Sequence, residues 1–141
     1  MSNTSLPVGY MLKQAQSLLH MRMEEAFSPL QLTVSHYSCL YHLRLDPGIS
    51  ASTLARRTFV TRQSMNVMLQ QLVDRGLVER PTRADGGRAL PAALTPAGVS
   101  ALDAAQALAD GVEQRMLAAL TPSEAAALAR ALAACVSGLD E

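Results

Sequence analysis

The stretch that most constrains how this chain folds runs from Ile49 to Leu94, where two short helical patterns, a tight break and a glycine-bearing basic segment follow one another without a spacer. Ser50 opens the first pattern: its hydroxyl can accept from the unpaired amides of a first helical turn, and Ala51, Leu54 and Ala55 follow at core spacing. Arg56 and Arg57 close that helix, and Thr58, Phe59 and Val60 leave the helical period. Thr61 is a second N-cap, starting a helix that runs to about Arg75. Within it Met65, Met68, Leu69 and Leu72 recur at three and four residues, one apolar stripe that can pack on the first helix.

The opposite face of the second helix is polar, and its residue types are those of base recognition. Arg62, Gln63, Ser64 and Asn66 crowd the first turns; Arg can donate twice to guanine, and Asn or Gln can pair bidentately with adenine. Gly76 suits the left-handed position that ends a helix, and Leu77 and Val78 begin a strand. Arg80, Arg83 and Arg88 then surround Asp85, Gly86 and Gly87, a turn that lets a hairpin reverse beside the helix and reach phosphate or the minor groove. The expected fold is therefore mainly α with a small β-wing, a winged helix-turn-helix. Its expected contacts with double-stranded DNA are Arg56, Arg57, Thr61, Arg62, Gln63, Ser64, Asn66, Arg83 and Arg88. The plain alternative for the same residues is a solvated helix face.

Charge is distributed as that reading requires. The whole chain is formally neutral, yet the segment from Arg56 to Arg88 holds seven Arg against Asp74, Glu79 and Asp85, so it carries +4 and the remainder −4. A cationic face on an otherwise acidic protein concentrates phosphate attraction and predicts salt-sensitive binding. Eleven of the twelve basic residues are Arg.

With 141 residues and 49% hydrophobic content, the chain is expected to form one compact protomer. Its parts are an N-terminal dimerisation helix (1–32), the DNA-binding region (33–94) and C-terminal dimerisation helices (95–141). From about Pro7 to Phe27, Leu12, Ala15, Leu18, Leu19 and Met23 form a helical stripe, with Met11 and Met21 beside it. Ser28, Pro29 and Leu30 break the pattern, and Thr33 caps a helix carrying Tyr37, Leu40, Tyr41 and Leu43. Asp46, Pro47 and Gly48 end it and deliver Ile49, expected in a one-residue bridge or short strand against the wing. Thr95 with Pro96, and Thr121 with Pro122 and Glu124, delimit two further helices to about Ala119 and Ser137, the second closed by Gly138. Both are rich in Ala and Leu, more apolar surface than the short helices can cover, which calls for a partner subunit. A twofold dimer would set two reading helices roughly 34 Å apart and favour an inverted-repeat target.

No nucleophile elbow, phosphate loop or paired acids mark a catalytic site, so no enzyme is expected, and no cofactor. His36, Cys39 and His42 lie three apart, but His36 and His42 fall about 120° apart around a helix axis, so the three cannot converge on one metal ion. No long uncharged apolar run and no leader pattern appears, hence a cytoplasmic protein with no membrane association is expected. Cys39 and Cys135 are isolated thiols, in keeping with a reducing compartment. His20, Arg22, His36, Tyr37 and His42 supply polar groups among apolar neighbours near the junction of the first helix and the DNA-binding region, a candidate small-molecule site.

From Leu54 to Arg80 (LARRTFVTRQSMNVMLQQLVDRGLVER), in LTPAG (Leu94 to Gly98) and in LTxxxY ending at Tyr37, the chain resembles the MarR family of bacterial transcription regulators, in order and length over nearly its whole extent. The resemblance implies a homodimeric regulator, usually a repressor, that alters its grip on operator DNA when an aromatic or phenolic anion binds between the dimerisation helices and the winged domain. Tyr37 matches a family core position. The family's wing tip usually reads Asp-x-Arg; here Gly86, Gly87 and Arg88 stand there, with Asp85 one place early. Some members sense oxidants through a cysteine, generally in the first helix, which here has none; oxidant sensing through Cys39 and a helical interaction module without DNA binding are the two rival functions.

Overall fold

The computed structural model describes residues 6–80 and 91–140, and its elements follow the caps. Helix α1 spans Val8–Phe27, a 3-10 turn spans Ser28–Leu30, and α2 spans Val34–Leu45. Helices α3 (Ala51–Arg57) and α4 (Arg62–Asp74) form the helix-turn-helix; β1 (Val78–Glu79) pairs antiparallel with β2 (Ala93–Leu94), Val78 opposite Leu94; α5 (Pro96–Leu117) and α6 (Pro122–Leu139) complete the chain. Thr33, Ser50, Thr61, Thr95 and Thr121 each accept a backbone N–H three residues on, which fixes where five helices begin.

The core sits where α2, α3, α4, β1 and the first half of α5 meet. Leu40 and Leu43 of α2, Leu54 of α3, Met65, Leu69 and Leu72 of α4, Val78 of β1 and Leu102 of α5 are all buried around one another. Phe27 is the one buried residue of α1, and α6 buries none, so the terminal helices leave broad apolar faces open.

Two details differ from the sequence expectation. Ile49 makes no strand bridge among the described residues: its N–H donates to the Asp46 carbonyl at 3.1 Å, closing the turn, while its side chain enters the core. Gly138 does not close α6, because the helix keeps its ordinary backbone through Leu139 and caps on Asp140, whose N–H reaches the Ser137 carbonyl.

One junction locks the end of α4 to α5. Gly76, at φ +74°, ends the α4 segment, and its carbonyl accepts from the Thr95 hydroxyl at 2.6 Å, while the Leu77 carbonyl accepts from the Thr95 N–H at 3.1 Å. Gly98 lies so close to that strand that a Cβ would stand 2.0 Å from the Leu77 oxygen. Arg75 adds a second anchor by donating to the carbonyls of Gln31 and Leu30.

Candidate nucleic-acid interface

The α4 helix is about 20 Å long at 1.5 Å per residue, with Met65, Leu69 and Leu72 turned inward. That places Arg62, Gln63, Asn66, Val67 and Gln70 on its outer face. Thr61 serves chiefly as the cap: its hydroxyl accepts from the Ser64 N–H at 3.0 Å and donates to the Ser64 hydroxyl at 2.9 Å. Arg62 and Gln63 are exposed, with no hydrogen-bond partner among the described residues.

A groove of about 450 Å³ runs between α3, α4 and the base of the wing, lined on its polar side by Ser50, Ser52, Arg62, Asn66 and Arg80. Arg80 donates to the Asn66 side-chain oxygen at 3.0 Å, leaving the amide NH₂ without a hydrogen-bond partner among the described residues. Arg80 and Val67 were not in the sequence-derived set. An interacting pair fourteen residues apart has no local signal, and Val67, 54% exposed, reads as a core residue until the register of α4 is known.

Arg56 and Arg57 do not join that groove. Arg57 pairs with Asp46 at 3.0 Å, Arg56 donates to the Thr53 hydroxyl, and both line a separate cleft facing the end of α6. Arg83 and Arg88, with Asp85, Gly86 and Gly87, lie outside the described residues.

The five residues expected near a ligand are dispersed. His20 lines a small cavity of about 190 Å³ with Val34, Ser38 and Met68. His36 is a capping residue: its Nδ1 accepts from the Thr33 N–H at 3.2 Å, which leaves Nε2 to donate to Gln71 at 3.1 Å. Tyr37 donates its hydroxyl to Gln106 and stacks on Phe27, and burial pushes its pKa up; beside it lies a cavity of about 290 Å³ that also holds Asp110 and Glu113. His42 packs edge-on to Tyr41 with its Nδ1 buried and without a hydrogen-bond partner among the described residues; burial and the nearby Arg57 lower its pKa. Arg22 lines a third cavity, about 310 Å³, between α1 and α5, with Leu18, Leu19, Val112, Met116 and Arg115.

These linings differ in charge. Two carboxylates beside Tyr37 repel an organic anion, whereas the apolar walls and two guanidinium groups of the Arg22 and Arg115 cavity suit one. Arg115 carried no sequence signal, being a lone cation late in a long helix. Cys39 is fully buried, its thiol meets the Met65 sulfur at 3.9 Å, and burial pushes its thiol pKa up to about 12. A thiol in that state holds almost no thiolate near neutral pH, which argues against the oxidant-sensing rival. No helix is long and apolar enough to cross a membrane among the described residues.

Comparison with known proteins bears on the groove and the cavities. A model of the MarR family matches residues 30–89. The HTH-type transcriptional repressor Rv2887 of Mycobacterium tuberculosis is 41% identical over 115 residues, covering 82% of this chain and 83% of that protein. The crystal structure of Rv2887 in complex with DNA superposes with a TM-score of 0.80 at 36% identity, over 93% of this chain and 98% of that one. Its complex with salicylic acid gives 0.77 at 36% identity, over 95% and 99%.

Proposed function

This chain belongs to the MarR family, and from that premise we propose that it is a homodimeric transcriptional repressor that binds an inverted-repeat operator and is released by a small aromatic acid. The observation that carries the DNA-binding part is the groove where Arg62, Asn66, Arg80 and two serines converge beside a helix whose other face is locked into the core. Arg62 and Gln63 donate to base edges in the major groove, Asn66 presents its free NH₂, and Val67 meets a thymine methyl. Ser50 and Ser52 at the start of α3 hold phosphate, as do Arg83 and Arg88 from the wing. Arg56 and Arg57 are left to long-range attraction of the duplex.

The effector reading rests on the cavity between α1 and α5. Arg22 and Arg115 bind the carboxylate, the former from its place beside Glu25, and Leu18, Val112 and Met116 enclose the ring. The proteins similar to this one include a repressor crystallised with salicylic acid, and the lining here suits the same class of ligand. Bound there, the ligand favours one spacing of the terminal helices over another, and the Thr95 to Gly76 lock carries that preference to α4.

Two variants test the reading. Arg62→Ala should cost about 1–3 kcal/mol in operator binding while leaving affinity for random duplex nearly unchanged. Equal loss on both duplexes would remove Arg62 from base reading. Arg115→Ala should bind operator as the wild type does but need at least about tenfold more salicylic acid for release, a difference of 1.4 kcal/mol in ligand binding. An unchanged release curve would move the effector to another cavity.

A further inference from the structure

The cavity beside Tyr37 has a lining that repression and release by an aromatic acid leave unused. It measures about 290 Å³ and lies where α1, α2 and α5 meet, with Leu19 and Met23 from α1, Tyr37 and Tyr41 from α2, and Asp110 and Glu113 from α5. The two tyrosine rings stand 6.1 Å apart. Asp110 and Glu113 are three residues apart on α5, a like-charge pair at a spacing that weakens a helix. Neither carboxylate has an ion-pair partner among the described residues. Arg44, the cation whose charge acts on Tyr37 from α2, is held by Asp103, and Arg22 is held by Glu25.

The hydrogen-bond order of the wall sets the sign of what it can take. Tyr37 donates its hydroxyl hydrogen to the Gln106 side-chain oxygen at 3.1 Å, and the Gln106 amide donates in turn to an Asp110 oxygen at 3.0 Å. That relay leaves the Tyr37 oxygen, the second Asp110 oxygen and the Glu113 carboxylate as acceptors. Burial and, behind it, the neighbouring Tyr41 and Asp110 raise the Tyr37 pKa, so the phenol keeps its hydrogen and the relay keeps its direction.

We propose that this cavity is a second ligand site and that it takes an organic cation, a protonated amine carried on a flat aromatic body. The amine donates to the Asp110, Glu113 and Tyr37 oxygens, while the body lies among the tyrosine rings, Leu19 and the Met23 thioether. The ligand is opposite in charge to the aromatic acid assigned to the Arg22 and Arg115 cavity, and the two linings share only Leu19, so they sort ligands by sign. An aromatic acid beside Tyr37 would add a third negative charge to two. A bare metal ion is served less well, since no third His, Cys, Asp or Glu joins the two carboxylates among the described residues.

The chain contains no tryptophan, so indole fluorescence reports a ligand alone. Tryptamine, cationic at neutral pH, and indole-3-acetic acid, its anionic counterpart, are each titrated with the full chain and followed by fluorescence anisotropy. Tryptamine should bind saturably, and the double variant Asp110→Asn with Glu113→Gln should bind it at least about tenfold more weakly, because the wall keeps its shape and loses its charge. Glu113→Gln alone, at an exposed position with no ion pair among the described residues, should already weaken it severalfold with helical circular dichroism unchanged. Indole-3-acetic acid should lose no affinity in either variant, and Arg115→Ala should leave tryptamine binding as it was. Absence of saturable tryptamine binding, equal affinity in the wild type and both variants, or displacement of tryptamine by salicylic acid would overturn the proposal. None of these outcomes bears on operator binding, so the repressor reading would stand without this site.

Discussion

Asn66 enters the reading groove with its side-chain oxygen already held by Arg80, so which of its edges faces DNA is fixed before binding. The interaction leaves the amide NH₂ free to donate and limits the flipping that would blur base preference. Arg80→Ala should therefore relax discrimination at one operator base pair, by about 1–3 kcal/mol, rather than weaken all sites evenly. Competition binding against operators altered one pair at a time reads this out; a uniform loss would make Arg80 a phosphate contact. His42 gives a pH prediction. Burial and the Arg57 charge lower its folded pKa below the ordinary 6.5, so the unfolded chain takes up a proton first on acidification. Its contribution to stability is whole above about pH 6.5 and is lost as pH falls toward the folded pKa. Melting curves from about pH 7 to about pH 5 should show a shallower decline for His42→Leu than for the wild type; parallel declines would place the titration elsewhere. Residue roles were legible where chemistry is local, as with the caps. It was not legible for His36, whose ring takes the capping place usually held by Glu or Gln, or for Arg80, whose partner lies across the groove.

At the level of elements, the junction of β1 and α5 carries most weight, because it ties the DNA-reading helix to a helix of the proposed dimer interface. Thr95 spends both its N–H and its hydroxyl on the Gly76 and Leu77 carbonyls, and Gly98 permits the close approach. This gives the LTPAG segment a physical reason beyond capping. Gly98→Ala must push α5 off the strand, since the obstructing atom is a backbone oxygen, and should cost at least about 1–3 kcal/mol. Thermal unfolding should show a fall of several degrees; an unchanged midpoint would mean the junction yields easily and cannot transmit strain. Helix starts were readable from Ser and Thr followed by apolar period, since the cap is a local hydrogen bond. The two misplaced details, Ile49 and Gly138, are places where a residue's usual role was displaced: the Ile49 amide is taken by its own turn, and α6 ends without a left-handed residue.

On the scale of the whole molecule, the same partition recurs in packing and in charge. The surplus of Arg lies in the central segment, which supplies most of the core, while the two C-terminal helices carry the acidic remainder and α1 and α6 leave open apolar faces. A chain that is neutral overall can thus present a cationic surface to DNA and an apolar one to a second subunit. That division was visible in the sequence because both patterns are segmental. The grouping of the polar residues near the first helix was not, since His20, Arg22, His36, Tyr37 and His42 share a neighbourhood in the chain but not a cavity. The most direct test of the account is binding of the full chain to the DNA upstream of its own coding sequence, compared with a scrambled duplex of equal length, at two salt concentrations. Selective binding that weakens as salt rises is the predicted result; equal affinity for both duplexes, or none for either, would contradict it.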